Sequence, residues 1–517
     1  MAYFSLHAYD ADVFIPSFSG LNQYGAGVDG DVRAAVEENN LETPAGVLQP
    51  MAAPEILRFS FENRIETLAH LYRRWYSGAD DKDVLFAATG GKIYYLTSSA
   101  SNWAQLDFPI GIDSYQSNVW SFAAYEINPI GSTASVDVLL MSNQKDGMIM
   151  IRGDTFAVTR VDTRADTSVG TIADGPKFGV IERYAERIWG GALEDDPDAL
   201  IYSRPYDPTD WTGPGGDEEP EDGAGQINQP SWDGDSFTAL RQFGNQLIAF
   251  KKNRVWRILG TDPGEYTFKE QYGGGGPFVN TIAVDTERIL MAEKEGLAVY
   301  DGLSVTPQMR EQVEKIWRTV NRAAMDQMCG CLFNEKYYLA FPTGNSTVNN
   351  ALLIYNIQDG TILYNDAISI ESFLPTEETL YATSSSLPGK VLKIKWDSWV
   401  TGEACGAATK WVTPWMVFGR ESIVKGGFDI YFTPEVQDTA VTLKFTIQTE
   451  KKYKSKQYTV TPLTVEQMVA GKEQKTKRIH IGGTGRRFRL IIETASGVTA
   501  PWRLIGGIQM IVETDPD

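Results

Sequence analysis

Residues 235–260 read DSFTALRQFGNQLIAFKKNRVWRILG, and residues 280–302 read NTIAVDTERILMAEKEGLAVYDG. One unit occurs twice in this stretch. In the first copy the apolar run Leu247 to Phe250 meets a charged turn, Lys251 to Arg254, and returns through Val255, Trp256 and Ile258. In the second, Ile289, Leu290 and Met291 meet Glu293-Lys294-Glu295-Gly296 and return through Leu297, Val299 and Tyr300. Short apolar runs flanking a polar turn with Gly or Asn are the signature of a β-hairpin. A hairpin of this size cannot bury its own apolar face, so its recurrence implies stacking against neighbouring copies.

Working outward, the unit returns as VLFAATGGKIYYL at 84–96, VLLMSNQKDGMIMI at 138–151 and RIWGGALEDDPDALIYS at 187–203. Beyond the opening pair it recurs as YLAFPTGNSTVNNALLIYN at 338–356 and LYATSSSLPGKVLKI at 380–394. Start-to-start spacings of 42 to 60 residues match four-stranded propeller blades lengthened by loops. The expected fold is therefore all-β, with a β-propeller of seven blades, six and eight being the neighbouring counts, over residues 61–400. Residues 1–60 read as Gly-rich and irregular, with a strand between 40 and 60 that would close the ring against the last blade. After residue 400 the texture changes to period-two strands such as Phe428 to Phe432, Val441 to Thr449 and Phe488 to Glu493. That pattern predicts a C-terminal β-sandwich of the jelly-roll kind over 401–517.

Two insertions interrupt the repeat. Residues 212–225 are low-complexity and acidic, and read as an exposed loop whose removal uncovers no core. Within 307–324, Val313, Ile316, Trp317 and Val320 share one helical face and predict an amphipathic helix on the propeller edge.

The chain has 517 residues, 42% hydrophobic and 11% aromatic, and is too long for one ordinary core unless that core is a repeat array. The start, MAYFSLHAYDADVF, lacks a basic n-region, so no signal peptide is expected, and no stretch of eighteen apolar residues predicts a membrane helix. Three cysteines do not make a disulfide framework, which suits a reducing cytoplasm. The net charge of −20 argues against a general DNA-binding role. It is also uneven: residues 421–517 hold 14 Lys and Arg against 11 Asp and Glu.

Chemistry is faint. The three histidines, His7, His70 and His480, lie far apart, which disfavours a triad or a multi-His metal centre. Cys329 and Cys331 read as buried structural thiols, and Gly273 to Gly276 as an inter-blade turn without the Gly-Lys-Ser/Thr of a phosphate loop. The acidic turn Glu194 to Asp198 has oxygen ligands but not the spacing of a calcium loop. Trp211 and Trp232, which flank the acidic insertion, read as packing anchors rather than sugar platforms. No nucleophile and base stand at a catalytic spacing, so no enzymatic activity, cofactor or metal is expected.

Several blocks are distinctive beyond the hairpin repeat. Arg187-Ile-Trp-Gly-Gly followed by Leu200-Ile-Tyr-Ser-Arg-Pro-Tyr-Asp-Pro-Thr-Asp-Trp211 is one. Asp235-Ser-Phe-Thr-Ala-Leu with Gln246-Leu-Ile-Ala-Phe-Lys-Lys-Asn-Arg-Val-Trp, and Gly296-Leu-Ala-Val-Tyr-Asp-Gly, are others. The chain looks like the hub, or DNA stabilisation, family of short-tailed phages over about residues 40–517; the acidic insertion departs from that family. The resemblance implies a virion structural protein, assembled in the bacterial cytoplasm as a ring of six copies that continues the channel below portal and adaptor. Its partners would be itself, the adaptor and a tail fibre or needle; it would help retain the DNA and later release it, the DNA passing through the channel without specific binding. A negatively charged wall repels phosphate rather than gripping it, which suits a conduit. The alternative is a peripheral tail or baseplate propeller that binds host-surface carbohydrate. The basic residues Lys451, Lys452, Lys454, Lys456, Arg486, Arg487 and Arg489 are the candidate intersubunit contacts.

Overall fold

The central apolar runs show no period-two alternation because they are covered on both faces. In the computed structural model Leu247 and Ala249 pack with Trp189 and Leu200 of the preceding sheet. The alternate residues Ile248 and Phe250 pack with Met291 and Tyr300 of the next. Strands buried on both sides read as continuous Val/Leu/Ile/Phe runs. The described residues are 11–514 apart from 24–30, 79–80, 110, 129–133, 162–175, 215–218, 220–221, 229–234, 272–277, 310, 418–424, 438–440, 452–453, 460–462 and 466–475.

Among the described residues, seven four-stranded antiparallel sheets follow one another, spanning 67–105, 121–160, 180–228, 237–271, 283–308, 329–365 and 372–393. We number them blades 1 to 7. Blade 7 takes its fourth strand, Glu55–Ser60, from the N-terminal side of blade 1. Leu392 lies opposite Ile56 and Lys390 opposite Ser60. Successive blades share apolar clusters, and the series closes: Leu374 and Val391 of blade 7 pack with Leu68, Leu85 and Ala87 of blade 1. Sheets stacked in a closed ring in this way form a β-propeller. Gly389, at φ +74°, lets the closing strand in: a Cβ there would fall well inside the van der Waals radius of the Phe61 carbonyl oxygen.

The described residues of 11–50, expected to be largely irregular, are instead woven into the C-terminal unit. Ala11–Ile15 pairs with Trp502–Thr514, and Glu37–Asn39 pairs with Thr409–Val412. The unit has two sheets. One holds Ala11–Ile15, Trp502–Thr514, Lys425–Val436 and Lys477–Gly485. The other orders Lys454–Thr459, Val441–Lys451, Arg487–Thr494, Thr409–Val412 and Glu37–Asn39, with Leu463–Val465 beside Val441–Lys451. Both contribute to one core, with Phe428, Ile430, Ile508 and Met510 from the first and Trp411, Phe445, Leu490 and Ile492 from the second. The sequence reading missed this because isolated two- to five-residue strands carry no periodicity of their own.

The expected helix within 307–324 is also corrected. Val305–Gln308 is the outer strand of blade 5, and the α-helix is one turn, Glu314–Trp317. The apolar spacing was informative all the same, since Val313, Ile316, Trp317 and Val320 lie in the cluster between blades 5 and 6. Asn321 then starts a 3-10 segment, Arg322–Gln327, its side chain accepting from the Ala323 amide. Propagation stops because burial of four side chains, not helix propensity, holds this segment.

Candidate assembly surface

The sheet register gathers most of the candidate basic residues at one end of the second C-terminal sheet. Lys451 stands opposite Lys454, and Lys456 opposite Thr449. Across the next strand Glu450 faces Arg487 and Gln448 faces Arg489. The Arg486 amide donates to the Glu450 carbonyl at 3.2 Å, which puts the turn before Arg487 at the same end. Lys452 lies outside the described residues. Two of the arginines are engaged within their own unit. Arg487 pairs with Glu450 at 3.6 Å. Arg489 donates to Gln448 and stacks 4.9 Å from the Trp415 ring centre, and burial lowers its pKa. Arg486 is the exposed member of the three.

The acidic turn is engaged within blade 3 and with the blades on either side. In the acidic turn, Glu194 pairs with Lys145 of blade 2 at 3.3 Å, and Asp196 accepts from Gln226 at 3.2 Å. Asp198 pairs with Lys251 of blade 4, whose side chain is fully buried over the Phe237 ring. Carboxylates committed to cations and amides do not make a calcium cradle. The neighbouring insertion is anchored as well. Trp211 is buried against Phe178, with ring centres 4.9 Å apart. The buried Arg187 donates to the carbonyls of Ser203, at 2.8 Å, and Gly223, at 2.7 Å. Ala224 is buried, and Gly225–Asn228 is the fourth strand of blade 3. The last residues of 212–225 are thus structural, which corrects the reading that the whole insertion uncovers no core. Trp232 and Gly273 to Gly276 lie outside the described residues.

His70 bonds Asp83 at 2.8 Å and His480 bonds Asp429 at 3.0 Å; His7 lies outside the described residues. The Arg478 guanidinium, 2.6 Å from Asp429, holds that carboxyl below its usual range, and His480 adds to the effect. Cys329 and Cys331 are buried on one face of a strand, and burial pushes both thiols up, away from nucleophilic chemistry. Among the described residues no group of three or more His, Cys, Asp or Glu is placed to hold a metal, and no helix is long and apolar enough to cross a membrane. A cleft of about 410 Å³ between blades 5, 6 and 7 carries Asp285, Glu335 and Glu377 above Leu332, Phe333 and Pro375.

The seam between the propeller and the C-terminal unit was not legible in sequence. Its knot is Asn40, buried and left-handed at φ +58°. The Asn40 amide donates to the Tyr364 carbonyl of blade 6 at 2.9 Å. Its side chain donates to Asp366 at 2.6 Å and to the Ala408 carbonyl at 2.8 Å, and accepts from the Asp366 amide at 2.9 Å. A second knot joins Gln49 to Glu42 and Asp397, at 2.9 and 2.8 Å. Asn is one of the few residues that enter the left-handed region readily, and that preference was the single available signal.

No family model matches the chain, and no curated protein matches it. Two solved propeller-class domains align loosely. The Pan2 WD40 domain of Neurospora crassa has a TM-score of 0.34 at 9% identity, covering 65% of this chain and 90% of that one. The AfRom2 CNH domain has a TM-score of 0.38 at 8% identity, covering 66% and 99%. Similarity this remote carries no argument, and the propeller assignment rests on the sheet order and the closed series of clusters.

Proposed function

We propose that this chain is a structural subunit of a bacteriophage tail, a hub or nozzle component that assembles as a sixfold ring and continues the DNA channel below portal and adaptor. In this reading a seven-bladed propeller is fused to a jelly-roll sandwich, and the part played is architectural rather than catalytic. The observation that carries it is the order of parts together with the sequence blocks of blades 3, 4 and 5. A propeller closed by an N-terminal strand is followed by a two-sheet unit into which Ala11–Ile15 is threaded. Charge distribution supports it too: the 421–517 segment is the basic part of an acidic chain, so apolar burial and opposite-charge pairing can offset self-repulsion in a ring.

Native mass spectrometry of the purified protein, with electron microscopy of particles that contain it, tests this reading. A sixfold ring on the tail axis is the expected result. A monomer that associates with no tail component, or a peripheral location with saturable polysaccharide binding, overturns it.

A further inference from the structure

The seam contains a carboxyl group that contributes none of its bonds. Glu38 is 1% exposed, and neither of its carboxylate oxygens has a hydrogen-bond partner among the described residues. It lies directly opposite Trp411 on the neighbouring strand, so the two side chains share a face of the sheet. Trp411 is fully buried, packs edge-on against Phe18 at 5.2 Å, and has an indole N–H that also lacks an acceptor. A buried polar group with no partner costs stability, and a buried ionised one costs far more. The residues on either side do hold the seam: Val36 donates to the Val412 carbonyl at 2.9 Å, and Asn40 ties blade 6 as described above.

We propose that Glu38 makes residues 34–50 a pH-gated strap between the propeller and the C-terminal unit, docked while its carboxyl is protonated and released when that carboxyl ionises. The inference stands on burial, lack of partners and position, and does not depend on the phage-tail reading.

The charges on the surrounding elements are spoken for. On Thr409–Val412, Lys410 pairs with Glu37 at 2.6 Å, and beyond it Glu493 pairs with Lys444 at 3.1 Å. Next to Ile362–Asn365, Asp366 is held by the Asn39 and Asn40 side chains. Ser19–Leu21 carries no charge. In the opposite sheet the buried Glu435 pairs with Arg503. Glu42, the third acid of the strap beside Glu37 and Glu38, is also raised by burial, but it accepts from Gln49 at 2.9 Å and from the Ser398 amide at 3.2 Å. Among the described residues, therefore, no cation on these elements stands ready to receive the Glu38 charge.

Burial holds the Glu38 carboxyl well above the usual carboxylate range. The sign follows from linkage. Below the unfolded value of about 4.3 the docked strap carries no charge penalty. As pH rises from there through the raised folded value, the undocked state gains by shedding its proton, and docking weakens up to about tenfold per pH unit.

Hydrogen exchange followed by mass spectrometry tests this on the full chain, from about pH 5 to about pH 9, with rates corrected for intrinsic exchange. In the wild type, corrected exchange of peptides from 34–50 should rise at least about tenfold across the range, while peptides from blades 1 to 3 stay level. Glu38→Gln, or Glu38→Leu if the amide variant fails to fold, should flatten the rise, whereas Glu42→Gln should keep it. A level wild-type profile, a rise that survives both Glu38 variants, or flattening by Glu42→Gln alone overturns the proposal.

Discussion

Six of the seven propeller sheets are built from strands that are neighbours in sequence, whereas both C-terminal sheets are built from the two ends of the chain. In blade 4 the run Phe237–Phe243, Gln246–Lys251, Val255–Leu259 and Thr267–Gln271 lies in order across the sheet. In the C-terminal unit Ala11 stands opposite Val512 and Glu38 opposite Trp411. The difference is one of loop entropy. Hairpins close short loops, and each blade has its partner close at hand. The C-terminal sheets cannot be completed until hundreds of intervening residues have been folded or spanned. Blade 7 shares the second character, since its outer strand arrives from residues 55–60.

The largest effect that would sharpen this contrast comes from a chain starting at residue 51. It loses Ile15, Phe18, Ala35, Leu41 and Leu48 from the C-terminal core but keeps the closing strand. Limited proteolysis should then find 401–514 cut readily and the propeller protected. Equal resistance of both parts would break the comparison.

Next is the ion pair between blades 3 and 4. Asp198→Ala leaves the ammonium of the buried Lys251 without that carboxylate and should cost about 3–5 kcal/mol in denaturant unfolding. The double variant Asp198→Ala/Lys251→Met should recover most of this loss. A single-variant cost below about 1 kcal/mol would show that the local contacts of a blade suffice without the tie.

Asn40→Ala should cost about 3 kcal/mol, combining lost bonds to Asp366 with a strained left-handed alanine. Its loss should fall on the seam, seen as faster hydrogen exchange at 362–366 and 408–412 with blades 1 to 4 unchanged. Uniform acceleration would mean that the two units do not separate energetically.

The smallest effect is expected for deletion of 215–221, which should shift stability by less than about 1 kcal/mol, since loop closure changes by about 0.6 kcal/mol per doubling of length. Deletion of 212–225 should cost several times more, because it removes the Gly223 carbonyl that Arg187 binds and the buried Ala224. Equal effects from the two deletions would contradict the anchoring role of Arg187.

Much of the propeller was legible because its information is local. The run at Leu247 to Phe250 and its turn announce a hairpin whatever surrounds them, and the spacing of the hairpins announces stacking. The candidate basic cluster was legible as composition, from Lys451-Lys-Tyr-Lys and Gly485-Arg-Arg-Phe-Arg. Its engagement was not: no sequence rule places Glu450 opposite Arg487 or Trp415 beneath Arg489.

By itself the sequence determined an all-β chain, the hairpin repeat, the positions of its turns and the change of texture near residue 400, since these follow from periodicity and turn chemistry within a few residues. Only the tertiary structure decided where residues 11–50 go, why Asn40 is left-handed and why Glu38 is buried without a partner. Those outcomes depend on pairings between distant segments, and a strand of three residues such as Glu37–Asn39 acquires its environment only when Thr409–Val412 and blade 6 come to meet it.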